Sequence, residues 1–198
     1  AMEDVSQKME EQDLYLNSSP GYWLRTFDRW ADCEEFIGFP LNNPLEKPSL
    51  LETANYFAIA QDAETLNEES QRHCAVALQG NIKGELQHVT IDTGYLMGPI
   101  RIQMTVSLYP EGSGMEPGTG GSWNGEAEFE ITSGVTGEGI PYTLVVSETP
   151  ESDYYNDFSS ADAYFVLKNG LYTLDAVSPG RDSGADAKAA LEELLALF

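Results

Sequence analysis

The amino-acid sequence predicts an α+β fold: an antiparallel sheet of about six to seven strands, with N-terminal helices and a C-terminal helix packed on it. Short segments rich in β-branched and aromatic residues recur between residues 74 and 177, and Gly, Pro, Asn or Asp separate them. Within residues 100–108 apolar and polar residues alternate strictly, which is typical of an antiparallel strand with one buried face. Residues 185–198 instead carry apolar side chains at helical spacing, which predicts the closing helix.

Composition and charge limit the possible functions. The chain has 198 residues, which fits one domain, and its 33 Asp and Glu against 10 Lys and Arg give a formal net charge of −23. We expect no direct nucleic-acid binding, because phosphates are bound by clustered Lys and Arg, which this sequence lacks. The longest apolar runs are shorter than the roughly 20 residues that span a bilayer, so we predict no transmembrane span. The acidic surface either keeps the protein dispersed or, in a second interpretation, mimics DNA or engages a basic protein.

The domain boundary is predicted near Pro20. Residues 1–19 carry several acids and few large apolar groups, so little burial is available to offset the entropy of ordering them. We therefore expect an acidic flexible tail over residues 1–19 and a single α+β domain over residues 20–198.

Two helical segments are predicted before the sheet. Trp23, Phe27 and Trp30 lie at i, i+4 and i+7, which predicts one face of an amphipathic helix. The alternative is an irregular hook whose aromatic side chains pack into the core. After a Pro-Ser start, apolar residues recur at helical spacing over residues 48–58 and predict a second helix.

The sheet and its closing helix follow from local patterns. The predicted strands cover residues 75–78, 86–91, 100–108, 127–131, 142–146, 163–167 and 171–177. Between the last two, Asn169-Gly170 predicts a tight hairpin, because Asn and Gly tolerate the positive φ of the turn. The stripe that predicts the C-terminal helix consists of Ala187, Ala190, Leu191, Leu194, Leu195 and Phe198.

The two cysteines, Cys33 and Cys74, lie at structural junctions. If paired, they would close a loop of about 40 residues, which a chain-entropy treatment values at roughly 4 kcal/mol. We predict this disulfide and, with it, an extracytoplasmic location. The alternative is two buried free thiols.

Motifs for metal binding and catalysis are missing. His73 and His88 are the only histidines, and no second Cys or His pair completes a tetrahedral zinc site. Oxygen donors crowd one segment without the spacing of an EF-hand, so a solvated acidic loop is favoured over a calcium site: Glu151, Asp153, Asn156, Asp157 and Asp162. No phosphate-binding Gly pattern or nucleophile elbow occurs. We predict no metal, no cofactor and no catalytic residues.

A strand with alternating acids offers the nearest approach to hydrolytic chemistry. Glu126, Glu128 and Glu130 share one strand face, and a glycosidase needs two carboxylates about 5 to 10 Å apart. A solvated strand face explains the same pattern more simply, so we expect no enzymatic activity.

The outline of the chain resembles small extracytoplasmic lipoproteins of actinobacteria, many of them of unknown function. The resemblance rests on Cys33 before a Gly-Phe-Pro break, on Cys74 at the first strand, and on a final hairpin over residues 165–172 that leads to the C-terminal helix. It implies an antiparallel sheet, in some cases in a PsbP-like α+β arrangement, and tethering to a membrane. The lipobox Cys of such proteins is absent from this sequence, and no functional residue is carried over.

We therefore expect a non-enzymatic, secreted or membrane-tethered binding or sensor domain that recognises a protein or an envelope component. The predicted binding surface combines aromatic and acidic loop residues: Trp123, Asp153, Tyr154, Tyr155 and Asp157. Two alternatives remain open, an acidic inhibitor or DNA mimic that binds a basic partner, and a small-molecule carrier whose sheet curls around an apolar cavity.

Overall fold

Alternating apolar and polar residues build one antiparallel sheet in the computed structural model, which describes residues 4–5, 7–8, 22–46, 51–53, 76–81, 88–109, 128–148, 158–168 and 170–198. The strands are β1 (Tyr22–Phe27), β2 (Glu52–Thr53), β3 (Val76–Asn81), β4 (His88–Met97), β5 (Ile100–Leu108), β6 (Glu128–Val135), β7 (Pro141–Glu148), β8 (Phe158–Leu167) and β9 (Gly170–Pro179). The helices are α1 (Trp30–Ile37), a 3₁₀ turn (Pro44–Glu46) and α2 (Gly184–Leu195).

The strand order is β1-β3-β4-β5-β9-β8-β7-β6, and β2 pairs with β4 beside this path. Two meanders, β3 to β5 and β6 to β9, meet where β5 pairs with β9. Every pair is antiparallel. The described strands therefore place β1 at one end of the sheet and β6 at the other.

The predicted α+β class with an antiparallel sheet is confirmed, and each of the seven predicted segments contributes a strand. The expected six to seven strands were too few, because nine strands pair in the sheet within the described ranges. The helix or hook predicted from Trp23 to Trp30 is wrong over Tyr22–Phe27, which forms β1 and pairs with β3. Aromatic and β-branched residues favour a strand wherever a partner edge exists, and β3 supplies one.

Part of the second predicted helix also forms a strand instead. Glu52 and Thr53 form β2, opposite Leu96 and Tyr95 of β4. A helix over residues 48–58 is therefore wrong at its centre, because backbone pairing with β4 satisfies these groups instead. Apart from Leu51, its other residues lie outside the described part of the chain.

The core lies between the sheet and the two helices. All six residues of the predicted C-terminal stripe are buried, which confirms that α2 packs on the sheet through β7, β8 and β9. Phe198 completes an aromatic cluster with Phe165 and Tyr172, with ring centroids 5.0 and 5.8 Å from its own. Neither described helix is long and apolar enough to cross a membrane.

Part of the predicted tail belongs to this core. Asp4, Val5, Gln7 and Lys8 are helical, and the side chain of Val5 is fully buried. The ammonium group of Lys8 donates to the carbonyl of Phe36 at 2.8 Å. Because Val5 shares the apolar cluster with α1, the structure does not support a flexible tail at these residues.

The hairpin predicted at Asn169-Gly170 is confirmed, with a shifted turn. Leu167 pairs directly with Gly170, so Gly170 lies in the strand and the turn begins one position earlier than predicted, at Lys168. Lys168 takes a φ of 56°, the positive value that such a turn requires. Gly170 begins β9, where an added Cβ would lie 3.2 Å from the ring of Tyr172.

Candidate functional site

The end strand β6 exposes a row of large apolar side chains. Phe129, Ile131 and Val135 are 52%, 53% and 64% exposed. Because side chains alternate along a strand, these odd-numbered residues share one face, while Glu130 points to the other. Among the described strands, β6 pairs with β7 alone. Within the described residues, one side of β6 therefore has no partner strand, with an apolar row on one face of the strand and Glu130 on the other.

The β6–β7 turn is closed by its own hydrogen bonds. The amide of Thr136 donates to the carbonyl of Ile140 at 2.8 Å, and the amide of Ile140 donates to the Thr136 hydroxyl at 3.1 Å. Gly139 has a φ of 84° within this turn. The turn thus fixes the orientation of β6 relative to β7.

The same turn is anchored on the C-terminal end of the chain. The amides of Gly137 and Glu138 donate to the carbonyls of Leu195 and Phe198, at 3.2 and 2.9 Å. Lys188 of α2 also reaches Glu130 on β6 at 3.2 Å. The exposed row is therefore held by the helix that closes the core, which makes it a rigid surface rather than a frayed edge.

A second feature is a carboxyl pair on the sheet face opposite α2. Asp162 on β8 and Asp175 on β9 are direct cross-strand partners. Burial, a hydrogen bond with Asp162, and the charges of Asp162 and Asp92 raise the pKa of Asp175 to about 9. Near neutral pH Asp175 therefore keeps its proton, since a partly buried carboxyl group beside other acidic side chains resists ionisation.

The surroundings of the pair are polar. The hydroxyl of Thr105 donates to Asp92 at 2.6 Å. Burial, with the charges of Asp162 and Asp175, raises the pKa of Tyr164 to about 12. A carboxyl group that keeps its proton near neutral pH, as Asp175 does, can donate that proton as a general acid does. His88 is not brought to this pair, because it lies four residues before Asp92 and stacks on Tyr109.

A third feature is an apolar pocket of about 170 Å³ between the β8–β9 turn and the loop after α1. Its wall includes Phe39, Leu41, Leu108, Leu167 and Tyr172, with Lys168 beside them. Burial raises the pKa of Tyr172 to about 12. The backbone amide of Asn42 donates to the Tyr172 hydroxyl and lowers this pKa, but its effect is smaller than that of burial.

The loop that forms one wall of this pocket is fixed to the sheet. The carboxylate of Glu34 accepts hydrogen bonds from the Trp30 indole at 2.8 Å and from the Leu41 amide at 3.1 Å. Asn43 donates to the hydroxyl of Tyr95 at 2.8 Å. Contacts on both sides of the loop therefore hold this wall of the pocket in place.

The structure places few of the predicted site residues. His73 and Cys74 lie outside the described residues, and so does the whole predicted binding surface, which consists of Trp123, Asp153, Tyr154, Tyr155 and Asp157. Of the segment predicted to be a solvated acidic loop, Asp162 is described, and it is a β8 residue paired with Asp175. Glu126 lies outside the described residues, whereas Glu130 forms an ion pair with Lys188. Within the described ranges, no three His, Cys, Asp or Glu side chains are grouped to hold a metal ion.

The predicted disulfide is not supported. Cys33 carries a free thiol, 1% exposed, on the face of α1 that also buries Trp30 and Ile37. Burial raises its pKa to about 12, and the charge of Glu34 adds to this effect. Its side chain is used for core packing, which removes the disulfide as an argument for an extracytoplasmic location.

Sequence reasoning missed all three features for an identifiable reason. Phe129 and Ile131 alternate with acids as a half-buried strand would, and only the sheet order shows that β6 lies at an end. The carboxyl pair and the pocket depend on which residues face each other across β8 and β9.

No family, curated protein or solved structure matches this chain.

Proposed function

We propose that this chain is a non-enzymatic binding protein that recognises an extended segment of another polypeptide along β6. The observation that carries this proposal is the row formed by Phe129, Ile131 and Val135, more than half exposed on a rigid end strand. An added strand gains main-chain hydrogen bonds from such an edge, while alternate side chains provide specificity.

The energetics favour a partner over permanent exposure. Completing the burial of a half-exposed Phe, Ile or Val contributes about 1 kcal/mol for each side chain. Natural proteins usually block an edge strand with Lys, Pro or a bulge, because an apolar edge invites association. Residues 128–135 contain neither Lys nor Pro.

Charge selects the kind of partner. The net charge of −23 opposes pairing between two copies of this chain. Glu130 lies on the β6 face opposite the apolar row and is 62% exposed, so a partner strand that alternates Lys or Arg with apolar residues complements both faces. Our proposal includes an extracytoplasmic, secreted or membrane-tethered location and an envelope protein as the partner, supported by the acidic composition.

A peptide selection tests this proposal. Random peptides of about ten residues, long enough to pair along β6, would be selected against the intact protein and measured by fluorescence anisotropy. We expect selected peptides to alternate basic and apolar residues, and Ile131→Glu to weaken their binding at least about tenfold. Leu197→Glu is the matched control, since Leu197 is also aliphatic and exposed, at 38%, but lies after α2.

The same experiment separates the acidic-inhibitor alternative. Binding driven by surface charge alone is screened out above about 0.5 M salt, whereas contacts to the apolar row persist. If Ile131→Glu binds the selected peptides as well as the wild type does, or if Leu197→Glu loses as much affinity, β6 is not the binding surface.

A further inference from the structure

The pocket between the β8–β9 turn and the loop after α1 combines an apolar wall with one cation. Leu108 and Tyr172, at its base, are 6% and 2% exposed. Phe39 contributes a second aromatic ring, and Lys168 is an exposed residue of the turn. The pocket lies on the α1 side of the sheet and shares no residue with β6.

Its size limits the ligand to one ring. A cavity of about 150 Å³ lined by Leu, Ile and Phe admits benzene, and this pocket measures about 170 Å³. Aromatic rings pack well against other rings in tilted or offset geometry, which Phe39 and Tyr172 can provide.

Its charge defines the polar end of the ligand. Lys168 supplies an ammonium group with three hydrogen-bond donors and no acceptor, so it favours an anionic group over an amine. The chain has only 10 Lys and Arg among 198 residues, which makes a lysine beside an apolar pocket a local exception to the acidic surface.

We propose that this pocket binds a small molecule that carries a single aromatic ring and a carboxylate, with the ring against Phe39, Leu108 and Tyr172 and the carboxylate at Lys168. The wall is already fixed by Glu34, which holds the Leu41 amide at 3.1 Å. Little ordering of the loop is therefore needed on binding, which favours affinity for so small a ligand. This site is independent of the peptide surface proposed above.

The test is an NMR titration of the intact protein with 3-phenylpropionate, 3-phenylpropanol and 3-phenylpropylamine. We expect saturable shifts at the methyl groups of Leu108 and Leu167, with the carboxylate binding most tightly. Lys168→Gln should weaken 3-phenylpropionate about two- to fivefold, the effect of one exposed ion pair, and leave 3-phenylpropanol unchanged. Lys188→Gln removes the same charge from α2 and should leave binding of both ligands at the wild-type value.

A second variant tests the pocket itself. Leu41→Trp places a larger side chain in the wall and should abolish binding of both ligands. The proposal is overturned if no saturable shift appears at Leu108 and Leu167, if the amine binds as tightly as the carboxylate, or if Lys168→Gln and Lys188→Gln behave alike. Ile131→Glu should bind 3-phenylpropionate normally, so failure of this proposal and failure of the β6 proposal are distinguishable.

Discussion

Asp162 and Asp175 face each other directly across β8 and β9, and a hydrogen bond joins their carboxyl groups. The pair lies in the interior of the sheet, where burial disfavours a second negative charge. Folding therefore favours the protonated form of Asp175, whose pKa rises from 3.8 to about 9. This relationship makes the fold sensitive to pH at a defined position.

We predict that the contribution of Asp175 to stability falls as pH rises. The stabilisation is complete below the unfolded pKa, near 4, and is lost progressively up to the folded pKa of about 9. Asp175→Asn keeps a neutral hydrogen-bond donor, so its free energy of unfolding relative to the wild type should rise by more than about 1 kcal/mol between pH 4 and pH 9. Urea denaturation at several pH values measures this difference.

The control is Asp28→Asn, because Asp28 is exposed and lies just before α1. Its unfolding free energy should follow the wild-type curve at every pH. A constant difference between Asp175→Asn and the wild type across this range would show that the buried pair does not titrate as described.

The position of this pair shows how far sequence reasoning reaches. Seven strands and α2 were predictable because each depends on local periodicity. For β1 the i, i+4, i+7 spacing predicted a helix, whereas pairing with β3 makes this segment a strand. The hairpin predicted at Asn169-Gly170 was predictable, but Gly170 pairs with Leu167 and so belongs to β9 rather than to the turn. With Asn169 and Gly170 in the loop, Asp162 would face Val177 instead of Asp175. A shift of one position in a turn thus decides whether the carboxyl pair exists.

The thiol of Cys33 is predicted to be unreactive in the folded protein. Burial raises its pKa to about 12, so the nucleophilic thiolate is scarce near pH 8. In a Cys74→Ser variant, 5,5′-dithiobis(2-nitrobenzoate) should react with Cys33 at least about a hundredfold more slowly in buffer than in denaturant. Equal rates in the two conditions would contradict the burial of Cys33 in the core. The double variant Cys33→Ser/Cys74→Ser gives the background rate.

The docking of the β6–β7 turn on the chain end depends on Gly137. Its amide donates to the carbonyl of Leu195 at 3.2 Å, and a Cβ at this position would collide with the backbone carbonyl of Ala196. A backbone atom cannot move aside as a side chain can. We therefore predict that Gly137→Ala separates the turn from α2, lowers the free energy of unfolding by about 1 to 3 kcal/mol, and speeds amide hydrogen exchange along β6.

Gly139→Ala is the matched control in the same turn. Gly139 has a φ of 84°, but an added Cβ meets nothing within 4 Å, so this variant introduces local backbone strain of about 1 kcal/mol without breaking the contact with α2. Hydrogen exchange along β6 should then stay close to that of the wild type. If Gly137→Ala costs no more than Gly139→Ala, or leaves exchange in β6 unchanged, the end strand is not held by the C-terminal helix, and the rigidity that the proposed peptide surface requires must have another source.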